Sequence, residues 1–145
     1  VCLEDINMEA WPWKITAIVG PVGAGKSCLI KLILGELTLF SGKLTVMGSV
    51  SYACQDPWLF VGSVRQNILF GHEMEITRYR EVIKACALSR DFSLLPYGDR
   101  TIVGERGISL SGGQRARINL ARAIYKKADI YLLDDPLSAV DIHVG

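Results

Sequence analysis

The stretch "ITAIVGPVGAGKSCLIKLILG", residues 15–35, decides the fold. Residues 15–20 are a short β-branched run ending on glycine, the composition of a buried strand. Residues 27–35 set Leu29, Ile30, Ile33 and Leu34 at helical spacing, with Gly35 placed to stop the helix. Between them, Gly20, Pro21, Val22, Gly23, Ala24, Gly25, Lys26 and Ser27 satisfy G-x-x-x-x-G-K-[ST] in full, in the strand–loop–helix setting that the pattern requires. Gly23 and Gly25 permit backbone that turns successive N–H groups inward, an anion nest at a helix N-terminus. Lys26 is expected to face the β- and γ-phosphates of a nucleotide, and the Ser27 hydroxyl its Mg²⁺. Cys28 follows in the first helical turn and is expected to line the same cradle. The loop alone fits a kinase, a GTPase, a helicase or a transport ATPase.

The rest of the chain continues an α/β pattern. "KLTVMG" (43–48) and "SVSYAC" (49–54) are expected as two strands joined at Gly48-Ser49. "TRYREVIKACAL" (77–88) places Tyr79, Val82, Ile83 and Cys86 on one helical face, with Thr77 as the cap. A helix is predicted from about Gln114 to Lys127, with Lys126 and Lys127 complementing its negative end. "IYLL" (130–133) reads as a last buried strand, stopping on the adjacent carboxylates Asp134 and Asp135. "LSGGQ" (110–114) precedes the long helix, so Ser111 and the amides of Gly112 and Gly113 form a second anion-seeking helix start. One domain needs a single γ-phosphate cradle, so the second suggests a nucleotide shared between two domains.

Composition narrows the class. Half of the 145 residues are hydrophobic and the formal net charge is +1, which suits one globular domain, or most of one, and argues against a polyanion surface. No apolar run approaches the roughly 18 residues of a membrane span. Cys2, Cys28, Cys54 and Cys86 lie far apart without metal-ligand spacing, which fits a reducing setting. The chain opens on Val1 with no leader pattern, as a piece of something longer would.

Taken together, these motifs resemble the ATP-binding cassette family over nearly the whole chain. In that resemblance "GPVGAGKS" is Walker A, Gln55 in "YACQDPW" is the Q-loop glutamine, and "LSGGQ" is the signature. "IYLLDD" is Walker B, and "SAVD" (138–141) is the D-loop. "TIVGERG" (101–107) is similar to the segment that exporters of the family set against their membrane domain. "QDPWLFVGSVRQNILFG" and "DDPLSAVD" are similar to the first nucleotide-binding domain of subfamily C, the multidrug-resistance-associated kind.

The resemblance implies a P-loop NTPase core with a helical signature subdomain at about 65–125, a single cassette incomplete at both ends. It implies ATP held by residues 20–28 and, for a partner's site, by Leu110, Ser111, Gly112, Gly113 and Gln114. Mg²⁺ would be held by Ser27, Gln55 and Asp134, with Gln55 and Asp135 serving catalysis. Asp135 stands where hydrolytically active members carry Glu, so a slow site is expected. The implied partners are the transmembrane domains of the same transporter and a second nucleotide-binding domain, on the cytoplasmic face of a membrane. An ATP-gated channel or channel regulator of the same subfamily, or a soluble cassette ATPase, also fits these motifs.

Other features invite different readings. Arg115, Arg117, Arg122, Lys126 and Lys127 lack interleaved aromatic residues, so they are expected as a solvated helix face rather than a nucleic-acid patch. Trp11 and Trp13 are expected to pack at a strand edge. His72 and His143 are expected at the surface.

Overall fold

A computed structural model describes residues 3–105 and 107–136; the expected D-loop at 138–141 and His143 lie outside these. The backbone divides into two compact units, Val1–Met47 and Gly48–Gly145.

Among its described residues the first unit has one regular element, helix α1 (Lys26–Ile33). Gly35 ends it in the manner expected, at φ 78°. Its N–H donates to the Leu32 carbonyl at 3.0 Å and that of Glu36 to Lys31 at 2.9 Å, the paired bonds of a Schellman close. The strands expected at 15–20 and 43–47 are not formed. Ile15 and Val19 are 98% and 89% exposed. A β-branched run suits a pleated surface, but a strand exists only where a neighbour takes its N–H and C=O groups. The described residues of the first unit supply no such neighbour. For the same reason Trp11 and Trp13 pack against no strand edge and are exposed, Trp13 at φ 63°.

In the second unit, β1 (Val50–Ala53) pairs in parallel with β4 (Ile130–Leu133), Val50 opposite Ile130 and Ala53 opposite Leu133. Between them in sequence lie β2 (Gly62–Ser63), α2 (Val64–Leu69), α3 (Ile76–Ala85), α4 (Leu88–Leu94), β3 (Ile102–Val103) and α5 (Gly112–Tyr125). The β1–β4 sheet has two strands, and α5 packs on it, with the Ser51 hydroxyl donating to the Ala123 carbonyl at 2.7 Å. β4 alternates half-buried and exposed residues instead of being buried throughout. A helix on one side of a sheet buries only every second side chain.

The core lies among the helices. Val64, Ile68, Leu88 and Val103 are fully buried, joined by Tyr79, Val82, Ile83, Cys86, Ile118 and Tyr125. Each large apolar side chain contributes about 1.5–3 kcal/mol by leaving water. The stripe predicted on α3 is therefore the buried one. Its predicted cap is not: α3 begins at Ile76, after Glu75, and Thr77 sits inside it. The start is set from outside the helix, since the Tyr125 hydroxyl accepts the Glu75 N–H at 2.8 Å and donates to the Glu73 carbonyl at 2.6 Å. The chain also breaks after Ala85, with Ala87 at φ 54° separating α3 from α4.

Two identical start signals begin α2 and α5. In S-x-x-Q, Ser63 and Ser111 each accept the amide of the glutamine three residues on, and Gln66 and Gln114 each accept the serine's own N–H. At the far end of α5, Arg78 of α3 donates to the Ile124 and Tyr125 carbonyls at 2.8 Å each. The ammonium of Lys126 goes instead to the Val50 carbonyl and that of Lys127 to Glu75.

The solvated basic face is corrected in part: Arg115, Lys126 and Lys127 are exposed as expected, but Arg117 and Arg122 are not. Arg117 makes a two-pronged ion pair with Asp91 of α4, at 2.7 and 2.9 Å. Arg122 is only 8% exposed. Both project from the packed side of α5, where a planar guanidinium satisfies several fixed acceptors at once.

Candidate functional site

The loop expected to cradle phosphate belongs to the first unit. Gly23 and Gly25 take φ 84° and 92°, the left-handed region where a side chain is strained. Gly25 is the N-cap of α1, no side chain caps the helix, and its first turn carries no acidic residue. Leu29 is the first residue whose N–H is taken by the helix, donating to the Gly25 carbonyl at 3.0 Å. The preceding amides therefore form a positive helix start open to an anion. Lys26 folds back over the loop, its ammonium donating to the Gly20 and Pro21 carbonyls at 2.8 and 2.9 Å. The loop is thus preshaped around its own cation. Ser27 and Cys28 are half-buried in the first turn, and Val22 is fully exposed at the loop's tip.

The second unit gathers the other acidic and amide groups. Because β1 and β4 are parallel and paired in register, both deliver their continuations to the same edge. The Asp134 N–H extends the ladder to the Ala53 carbonyl at 3.0 Å. Gln55, Asp134 and Asp135 consequently line one pocket of about 20 Å³, together with Ala116 and Asn119 of α5. That is room on the scale of one water molecule. The edge beyond the carboxyl ends of parallel strands is where α/β proteins place their ligands. Asp134 is half-buried; Asp135 is exposed and at φ 50°, a conformation that Asp adopts more readily than most residues.

At the start of α5, the Ser111 Oγ already accepts the Gln114 N–H at 3.2 Å, and Gln114 Oε1 accepts the Ser111 N–H at 2.9 Å. Leu110 packs on the helical core. The remaining offer to an anion is the hydroxyl proton of Ser111 and the amides of Gly112 and Gly113. A side chain at Gly112 would enter open space. In "TIVGERG" the residues from 101 to 104 fold tightly: Thr101 is buried, Val103 pairs with Gly62, and a side chain at Gly104 would stand 2.8 Å from the Val61 Cα.

Taken by its own chemistry, each expected donor offers oxygen, Ser27 in the first unit and Gln55 and Asp134 in the second, the ligand atom that suits a hard cation. The described residues hold no cluster of three or more His, Cys, Asp or Glu that would make a complete protein cage. Mg²⁺ normally takes one or two carboxylates and completes its shell with water and phosphate. His72 is exposed, as expected.

Sequence reasoning missed the anchors of the Gln55 segment. Asn119 donates to the Cys54 carbonyl at 3.1 Å, and Arg122 donates to the Trp58 carbonyl at 3.0 Å. A signal was present: Arg122 falls on the same helical stripe as Ile118, Ala121 and Tyr125, the buried face of α5.

The family model described as ABC transporter matches residues 3–138. The chain is 63% identical over 143 residues to the "Probable multidrug resistance-associated protein lethal(2)03659" of Drosophila melanogaster, covering 99% of this chain and 10% of that protein. It is 56% identical over 143 residues to the human "ATP-binding cassette sub-family C member 4", covering 99% and 11%. It is 55% identical over 145 residues to the "Metal resistance protein YCF1" of Saccharomyces cerevisiae, covering 100% and 10%. The chain thus spans about a tenth of the length of these relatives.

Proposed function

This chain belongs to the ABC transporter family, whose members are ATPases of P-loop NTPase fold, and from that premise we propose that it is the first nucleotide-binding cassette of a subfamily C exporter. In this reading the segments at 20–27, around 55, 110–114, 130–134 and 138–141 are parts of a single cassette. It binds Mg-ATP and drives transport by closing on a second cassette at the cytoplasmic face of a membrane. The described residues contain no helix long and apolar enough to cross a membrane, and relatives such as sub-family C member 4 are transporters by family.

The observation that carries the reading is the loop at 20–27. It has left-handed glycines at 23 and 25, an uncapped helix start, and the Lys26 ammonium folded across it. Its amides and Lys26 would hold the β- and γ-phosphates. Ser27, Gln55 and Asp134 would hold Mg²⁺, which when bound neutralises charge that develops on the phosphates. Asp135 would orient the attacking water. Asp is one methylene shorter than Glu, so its oxygens fall about 1 Å short, and misplacement on that scale costs about 10²-fold. The cassette therefore mainly binds ATP, while its Ser111 and the amides of Gly112 and Gly113 complete the partner's site.

The test is photolabelling of the full-length protein with an azido-ATP. Lys26→Ala should abolish most labelling of the peptide containing residues 20–28 and leave thermal stability unchanged, because Lys26 bonds only loop carbonyls. Equal labelling of wild type and variant would reject the site.

A further inference from the structure

Arg122 is a cation inside the fold without a carboxylate within 4.0 Å among the described residues. Its guanidinium spends its donors on neutral oxygens: Nε on the Asn67 carbonyl at 2.7 Å, Nη2 on Asn67 Oδ1 at 2.9 Å, and Nη1 on the Trp58 carbonyl at 3.0 Å. It lies 4.0 Å over the Trp58 ring and 5.4 Å from that of Phe70. Burial lowers its pKa to about 10. Charge so placed opposes stability, and an apolar side chain of similar volume often serves a core better.

What the charge secures is a short run of backbone. Asn67, held by Arg122, itself accepts the Phe60 N–H and donates to the Phe60 carbonyl, at 3.0 Å each. One turn earlier on α5, Asn119 donates to the Cys54 carbonyl. The segment containing Gln55 is therefore tied just before that residue by Asn119, and after it by Arg122, directly at Trp58 and through Asn67 at Phe60. Both anchors come from the helix that begins at Ser111.

We propose that Arg122, with Asn119, is a positioning residue that fixes Gln55 to the signature helix, so that Gln55 and the start of α5 move as one body. The inference rests on the functional reading above. Lys in place of Arg122 keeps the charge and loses the planar fork, so it cannot hold Trp58 and Asn67 together. Polar and charged contacts of this kind hold local opening down by about tenfold or more.

The experiment uses the full-length protein and two readouts. Hydrogen exchange of residues 54–60 is followed by mass spectrometry in wild type, Arg122→Lys, Asn119→Ala and Arg117→Lys. The last removes a guanidinium from the same helix without touching the segment's anchors. Single-turnover ATP hydrolysis and ATP affinity at this cassette's own site, with the partner's Walker A disabled, are measured for wild type and Arg122→Lys, each with and without Gln55→Ala. We expect Arg122→Lys to speed exchange at 54–60 by about tenfold, Asn119→Ala to speed it at 54–56, and Arg117→Lys to leave it unchanged. Hydrolysis should fall in Arg122→Lys at unchanged ATP affinity, and this loss should vanish on the Gln55→Ala background, since one group acts through the other. Unchanged exchange at 54–60 in both anchor variants, or the same rise in Arg117→Lys, overturns the proposal. A loss that adds fully to that of Gln55→Ala also overturns it. If wild type hydrolyses no ATP, the functional reading fails and the exchange data alone decide the positioning role.

Discussion

At Asp135 the side chain and the backbone make separate demands. φ is 50° there, which Asp tolerates better than Glu, so the residue suits the turn leading into Pro136 as well as any chemistry. The two demands are separable by measurement. Asp135→Glu restores the longer reach at some cost to the turn. If side-chain length limits the site, single-turnover hydrolysis there, with the partner's Walker A disabled, should rise about tenfold, near 1.4 kcal/mol of barrier. A rate equal to or below wild type, with the melting temperature held, would show that Asp135 serves the turn alone. The αL backbone was not legible in the sequence. Asp-Asp-Pro shows two carboxylates and a proline, but which carboxylate extends the ladder is settled by the Asp134 N–H meeting Ala53.

Helix faces were the most legible elements, because burial of one stripe leaves a periodic trace. Tyr79, Val82, Ile83 and Cys86 were read correctly from spacing alone and all lie in the core. Strands fared worse. Residues 50–53 and 130–133 form strands as expected, though their pairing with each other was not foreseen, whereas 15–20 and 43–47 have the right composition and no ladder. A strand depends on a partner distant in sequence, which local composition does not encode. The packing of Arg117 and Arg122 was missed because a charged helix position normally faces water. The α3 stripe yields a pH prediction. Burial pushes the Cys86 thiol up to about 11, while in the unfolded chain it ionises near 8.5. The raised folded pKa means that the contribution is complete below about pH 8.5 and lost as pH rises through about 11, on the order of 3 kcal/mol in all. Thermal unfolding of wild type should therefore fall more steeply between pH 8.5 and 11 than that of Cys86→Ala. Parallel slopes would show that the thiol ionises as freely in the fold as outside it.

Across the whole molecule, features built within one short stretch are legible in the sequence and features assembled from distant stretches are not. The loop at 20–27 and the S-x-x-Q start at 111–114 are local devices, so glycine placement and side-chain chemistry announce them directly. The pocket holding Gln55, Asp134 and Asp135 is not local, since parallel pairing of β1 with β4 across the helical region assembles it. The separate anion-seeking helix starts, at α1 and α5, would be the physical basis for the proposed site shared between cassettes, and Gly112 gives the sharpest access to that proposal. Its position is the first of α5, a side chain there meets nothing within 4 Å, and a carboxylate at a helix start is mildly stabilising. Gly112→Asp should therefore fold as wild type while setting a negative charge where, in the proposed shared site, a partner's γ-phosphate would dock. The decisive measurement is ATP photolabelling at residues 20–28, beside steady-state hydrolysis, in full-length Gly112→Asp. The account predicts labelling at wild-type strength with hydrolysis reduced at least tenfold, a change near 1.4 kcal/mol. Loss of labelling at residues 20–28 would mean that the signature serves this chain's own cradle, and would contradict the account.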